Sequence, residues 1–189
     1  GNYPISSYAF QVLYLDLAEN LPTSGRYQHL LIATCSLTDM TLIFPLKSKT
    51  SSEISHVLLY SILQYFNVAY IFSDNAPAFS EKTFLMFLPS INIRKLTLSA
   101  LNPAGKGLVE AKVKIVKTMM KKILASHESY DWQGLPFFIS KVINTTKSNK
   151  TQYTPFELLY GPSSDNSKEP FNTDKLVKLH PIIQDQHVT

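Results

Sequence analysis

The 189-residue sequence has one cysteine, Cys35, and one tryptophan, Trp132. A lone cysteine excludes an internal disulfide framework, and no His/Cys group has zinc-finger spacing. Such usage points to a reducing compartment, cytosol or nucleus. Long apolar runs are missing as well. None approaches the roughly 20 residues of a membrane-spanning helix, and no basic start followed by an apolar run reads as a signal peptide. Charged residues are only 17%, yet 44% are hydrophobic, which is too apolar for disorder and ordinary for a globular chain. There is no internal repeat and no low-complexity segment. The length suits one domain with a substantial core. Net charge is only +4, so where the basic residues cluster matters more than their excess.

What is present begins with a strand-like run at 10–17, FQVLYLDL, apolar on both faces as a central strand requires. Alternation puts Phe10, Val12, Tyr14 and Asp16 on one face. An acid near the end of a buried strand needs an ion pair or a metal. Two more strands, 27–35 and 41–46, follow across short turns, which implies antiparallel pairing. A helix capped at Thr50 or Ser51, with Glu53 in its first turn, runs to Asn67 on Ile54, Val57, Leu58, Ile62 and Tyr65. The apolar strand 68–72 follows that helix, so it can lie parallel to the first. It leads directly into Ser73-Asp74-Asn75-Ala76-Pro77. Asp74 is therefore either a turn starter or a ligand at a strand's carboxyl end, where ligands gather in open α/β sheets.

A short helix capped by Ser80 to about Leu88 and a strand over 91–98 come next. The stretch 102–122, NPAGKGLVEAKVKIVKTMMKK, should open as a non-helical loop punctuated by Pro103, Gly105 and Gly107. It then becomes a helix. Val109, Val113, Val116, Met120 and Ile123 form its apolar stripe, and Glu110, Lys114, Lys117 and Lys121 a polar one. Six lysines lie from Ala104 through Lys122 inclusive, with Glu110 the single acid among them. After a break at 126–131, a helix over 132–147 carries Leu135, Phe138, Ile139, Val142 and Ile143, with Trp132 as a packing residue. Thr154, Pro155 and Glu157 spell a capping box, and Gly161-Pro162 stops the helix. Residues 1–9 read as an extension, 10–162 as the core and 163–189 as a polar tail or linker.

If the fourth strand lies parallel beside the first, Asp16 and Asp74 become neighbours. Glu110 follows Asp74 with 35 residues between, and the intervening helix and strand return the chain to the same edge. Three carboxylates so gathered repel unless a hard divalent cation sits among them, Mg²⁺ or Mn²⁺ rather than zinc. Two such ions about 3.5–4 Å apart can activate an attacking oxygen and stabilise a leaving oxygen at a phosphodiester. The lysines beside Glu110 can hold a phosphate backbone.

The phrases YLDL (Asp16), FSDNAPAF (Asp74) and NPAGKGLVE (Glu110), with the closing TPFELLYG, resemble the catalytic core of retroviral and LTR-retrotransposon integrases. These are RNase H-like polynucleotidyl transferases. The resemblance implies an α/β fold whose five-stranded mixed sheet, three antiparallel strands plus two parallel, is flanked by helices. It implies DNA 3′-end processing and strand transfer with two Mg²⁺ or Mn²⁺ ions, Asp16 and Asp74 sharing one and Asp16 and Glu110 the other. Lys106 falls at the flexible-loop position where the family often has a polar DNA-contacting residue. Lys114 and Lys117 match lysines that contact the element's DNA end, and Lys121 continues their track. The implied partners are element and target DNA and a second copy of the chain, with no membrane and no small-molecule cofactor. The implied location is the nucleus, reached within a viral or virus-like particle. One departure is Ala76, where the family usually has glycine; a positive φ there would cost about 1 kcal/mol. The family's zinc domain and C-terminal β-barrel are not evident in this sequence. Two other classes compete: a captured, non-catalytic DNA- or protein-binding module, and a ribonuclease H acting on RNA–DNA hybrids.

Overall fold

The computed structural model describes residues 4–98, 103–125, 131–148 and 151–161. The proposed tail at 163–189 and most of the break at 126–131 lie outside these residues. Five strands, β1 (Val12–Ala18), β2 (His29–Cys35), β3 (Thr41–Leu46), β4 (Tyr70–Ser73) and β5 (Arg94–Thr97), form one sheet in the order β3-β2-β1-β4-β5. The first three pair antiparallel across short turns. β4 pairs parallel with β1, and β5 parallel with β4. Each parallel partner is reached through helix, as parallel pairing demands. The connections are α1 (Ser51–Leu58), extended by a π-helical turn at Leu59–Leu63, and the pair α2 (Pro77–Ser80) and α3 (Lys82–Ser90). This is the five-stranded mixed sheet the sequence implies.

Both faces of the sheet are covered, which explains why β1 is apolar on both sides. Leu13, Leu15 and Leu17 pack beneath α1 and α3 with Ile54, Leu58, Phe84 and Leu88. On the other face, Val12, Tyr14 and Phe72 meet Val109 of α4 (Pro103–Ala125). Farther along that helix Val116, Met120 and Ile123 pack on Ala18, Leu30, Ile32 and Ile43, together with Trp132 and α5 (Leu135–Thr145). The capping box forms as spelled at α6 (Pro155–Tyr160): Thr154 N donates to Glu157 Oε2 (2.7 Å) and Glu157 N to Thr154 Oγ1 (3.0 Å).

Several local expectations are corrected. Phe10 does not extend the face of Val12 and Tyr14. Its φ of 63° turns the chain, and its ring stacks on Phe66 in the opposite layer, centroids 3.8 Å apart. Ser80 does not cap the second helix, because Glu81 is extended (φ −63°, ψ 146°) and divides α2 from α3. The non-helical loop at 103–107 is also overturned, since α4 begins at Pro103 and runs through both glycines. Proline lacks only a donor that a first helical turn leaves unpaired anyway. Each helical glycine costs about 1 kcal/mol, which the buried stripe of a long helix offsets. Gly107 is not forced by space, since a Cβ there would meet nothing within 4 Å.

One buried contact fixes α5 to the sheet edge. Asn144, 2% exposed, pairs with both backbone groups of Thr41 on β3: its Oδ1 accepts from Thr41 N (2.8 Å) and its Nδ2 donates to Thr41 O (2.7 Å). Ser140 Oγ donates to the same carbonyl (2.6 Å). The amide thus satisfies an edge strand that would otherwise be open for pairing. Asn144→Ala removes both bonds and orphans a buried N–H. We expect a loss of about 2–3 kcal/mol, a Tm drop of roughly 5–10 °C, read by thermal unfolding. An unchanged Tm would show that the contact is dispensable.

Candidate active site

The strand register builds the site. β1 and β4 pair with Tyr14 opposite Phe72. Two residues farther along both chains, Asp16 comes level with Asp74, just past the end of β4 at Ser73. Asp16 lies on the α4 side of β1, and Leu17 N donates to its Oδ1 (2.7 Å). Asp74 is exposed, and its Oδ1 accepts from Ala76 N (3.0 Å), closing a tight turn. Thr97 of β5 donates to Asn75 Oδ1 (3.2 Å), tying that turn to the neighbouring strand. Ala76 is not strained. Its φ of −53° and ψ of 146° are the extended conformation that a following proline, Pro77, imposes. The cost expected from the absent glycine therefore does not arise.

Glu110 sits about two turns into α4, because the helix begins at Pro103 and not after the glycines as expected. A groove of about 410 Å³ follows that helix, with Asp16 and Glu110 among its lining residues beside Lys114, Lys117 and Lys121. Val113 and Thr118 complete it. Asp74 does not line the groove, but its charge reaches Asp16. Burial pushes the Asp16 carboxyl above its ordinary range, and the charges of Asp74 and Glu110 push it further. The Leu17 N–H and the Lys117 ammonium oppose them. The three carboxylates thus share one electrostatic neighbourhood. Among the described residues, however, no group of three His, Cys, Asp or Glu side chains has closed to metal-binding distance. Glu110 instead faces Lys106, whose Nζ is 3.7 Å from Glu110 Oε1. Lys106 is therefore on a helix, not on a flexible loop.

The lysine field divides. Lys114, Lys117 and Lys121 are exposed along the groove, whereas Lys112 is turned partly inward. Burial pushes the Lys112 ammonium down, and Asp39 counteracts it. Two neighbours of the site were missed in sequence. Thr118 falls between the lysines on the helical face. Lys95, paired with Ile71 across β4 and β5, feels the charge of Asp74 while burial lowers its pKa. The signal for Thr118 was helical spacing; for Lys95 it required knowing that β5 lies beside β4.

The raised Asp16 pKa carries a sign. The unfolded chain releases this proton first, so between the ordinary value of 3.8 and the higher folded value the native state binds more protons. Metal-free stability contributed by this group is full below that window and is lost as pH rises through the folded pKa. Asp16→Asn should flatten that slope. It should also stabilise the metal-free protein at neutral pH by about 0.5–1 kcal/mol, a modest figure because a partly exposed carboxylate is screened. Thermal unfolding from pH 4 to 8 (about the range over which carboxylates finish titrating) measures it. A variant less stable than wild type at neutral pH would contradict the like-charge account.

No protein-family model matches the chain. It is 28% identical over 152 residues to the Pro-Pol polyprotein of feline foamy virus, covering 80% of this chain and 13% of that one. To the Tf2-3 transposon polyprotein of Schizosaccharomyces pombe it is 25% identical over 177 residues, 91% of this chain and 13% of the relative. The chain thus spans about an eighth of the curated relatives it matches. Among solved structures, it aligns with the HTLV-2 integrase catalytic core domain in complex with magnesium. The TM-score is 0.67 at 20% identity, over 82% of this chain and 100% of that one. A simian T-cell lymphotropic virus intasome in complex with PP2A regulatory subunit B56 gamma gives 0.69 at 22%, over 91% and 63%. The architecture is that of the retroviral integrase core, RNase H-like in its sheet order and flanking helices.

Proposed function

We propose that this chain is the catalytic core of an integrase, which processes DNA 3′ ends and joins them to target DNA with the help of divalent metal. The observation that carries the reading is the register of β1 against β4. It brings Asp16 level with Asp74 on the sheet that α4 crosses with Glu110. The donor chemistry fits a hard cation: three carboxylates, no thiolate or imidazole, and one acid pushed toward its neutral form by burial and by the charges of the other two. Asp16 and Asp74 would hold one ion, and Asp16 and Glu110 a second. Such ions supply a nucleophilic oxygen at neutral pH and neutralise charge on the leaving oxygen.

The chain's own residues do the rest. Lys114, Lys117 and Lys121 present ammonium groups along the groove at helical spacing, matched to a phosphate backbone rather than to bases. Val109 and Val116, buried beneath them, aim that face at Asp16. Leu17 N–H fixes one oxygen of Asp16, and Ala76 N–H one oxygen of Asp74. Homo-oligomerisation belongs to the proposal. The HTLV-2 core was solved in trimeric and dimeric forms, and Phe137 and Tyr160 are more than half exposed on α5 and α6. Action on DNA in the nucleus, with delivery in a virus-like particle, is part of the same reading. No described helix is long and apolar enough to cross a membrane.

The test is disintegration of a branched DNA substrate with Mn²⁺, using this chain and a longer protein that carries it. Metal-dependent release and rejoining supports the proposal. Cleavage confined to RNA–DNA hybrids would replace it with a ribonuclease H. DNA binding with no metal-dependent product from either protein would replace it with a binding module.

A further inference from the structure

We infer that Lys106 is a built-in competitor for the metal site: it holds Glu110 as an ion pair and gives it up when DNA offers a phosphate. This rests on the integrase-core reading and deepens it. Of the three acids, Glu110 is the one with a lysine at ion-pair distance among the described residues, 3.7 Å from Lys106. The contact exists because α4 runs unbroken through Pro103–Ala125, which sets the two residues one helical turn apart on one face. A loop at 103–107 would not hold them together.

The pair is suited to exchange. Both side chains are exposed, 56% for Lys106 and 64% for Glu110, so the contact is screened and weak. Lysine before glutamate is also the poorer order for such a pair on a helix. An ammonium there competes with a dication for the same oxygen, and repels it once bound. A DNA phosphate is a stronger partner for a lysine than an exposed carboxylate already facing other acids. Moving Lys106 onto it removes the competitor and leaves Glu110 for metal. DNA and metal would then bind cooperatively, each tightening the other to the same degree. Lys106 does not touch the reacting atoms in this scheme; it is a positioning residue.

The experiment measures Mn²⁺ affinity by the loss of the free-ion paramagnetic resonance signal. The proteins are the wild-type chain, K106Q and K106R, each with and without a short DNA duplex. Without DNA, K106Q should bind Mn²⁺ about three- to tenfold tighter than wild type, roughly twofold from the exposed pair and the rest from relieved repulsion. K106R, which keeps the charge, should stay near wild type. The duplex should tighten Mn²⁺ binding more for wild type than for K106Q. Equal or weaker binding by K106Q without DNA would overturn the competition, and an equal duplex-induced gain in both would overturn the exchange. A wild-type chain that binds no more Mn²⁺ than D16N would overturn the proposed function itself, and this inference with it. The two failures are therefore distinct.

Discussion

Replacing Asp74 with asparagine is expected to abolish metal-dependent DNA joining and disintegration while the protein stays folded. Asp74 is exposed, and its one described side-chain bond is from Ala76 N to Oδ1. An asparagine oxygen can accept the same bond, so the turn into Pro77 survives. What disappears is a negative charge at the point where β4 delivers it beside Asp16. Metal-assisted stabilisation of a phosphodiester transition state is worth several kcal/mol. At about 1.4 kcal/mol per tenfold, the loss should be at least about 10³-fold. Product from the branched substrate is the readout, with thermal unfolding as the control for the fold. Activity within about tenfold of wild type, less than one metal ligand should be worth, would remove Asp74 from the chemistry.

The second large effect is on stability. Trp132 is fully buried among Val116, Met120, Ile123 and Leu135. Its Nε1 donates to Pro22 O (2.6 Å), and its backbone N donates to Ser24 Oγ (2.8 Å), a hydroxyl that also bonds Asp131. One side chain thus clamps the β1–β2 hairpin to the helix that carries Glu110. Trp132→Ala should cost about 3–5 kcal/mol, a large part of the 5–15 kcal/mol typical of a whole domain. Trp132→Phe keeps most of the volume and loses the indole donor, so about 1–2 kcal/mol is expected. Urea unfolding separates the two. If Trp132→Ala cost no more than Trp132→Phe, packing would not be what holds α4 against the sheet.

Much of the site was legible because its parts are periodic or punctuated. The alternation in β1 singled out Asp16 as an acid among apolar neighbours. The short apolar strand ending at Ser73 put Asp74 at a carboxyl end, and helical spacing put Glu110 on one face with three lysines. What was not legible depends on contacts distant in sequence. Pro103, Gly105 and Gly107 carry breaker signals, but breakers act weakly in the first turns of a helix whose later residues are firmly buried. Phe10 continues the alternation of β1, yet a stack on Phe66 draws it to the other layer. Whether Ala76 needed a positive φ was left open by the glycine preference, and it is settled locally: Pro77 holds its backbone extended. Lys112 is one of the six lysines of this stretch but lies off the polar stripe, and its inward turn toward Asp39 follows from the rotation of α4 on the sheet. Spacing alone does not give that rotation.

The gathering of the three carboxylates into a metal site is tested most directly by Mn²⁺. Crystals of the chain soaked in the ion should show an anomalous peak between Asp16 and Asp74, lost in crystals of Asp74→Asn. Well-ordered Asp16 and Asp74 side chains with no peak between them would contradict the account.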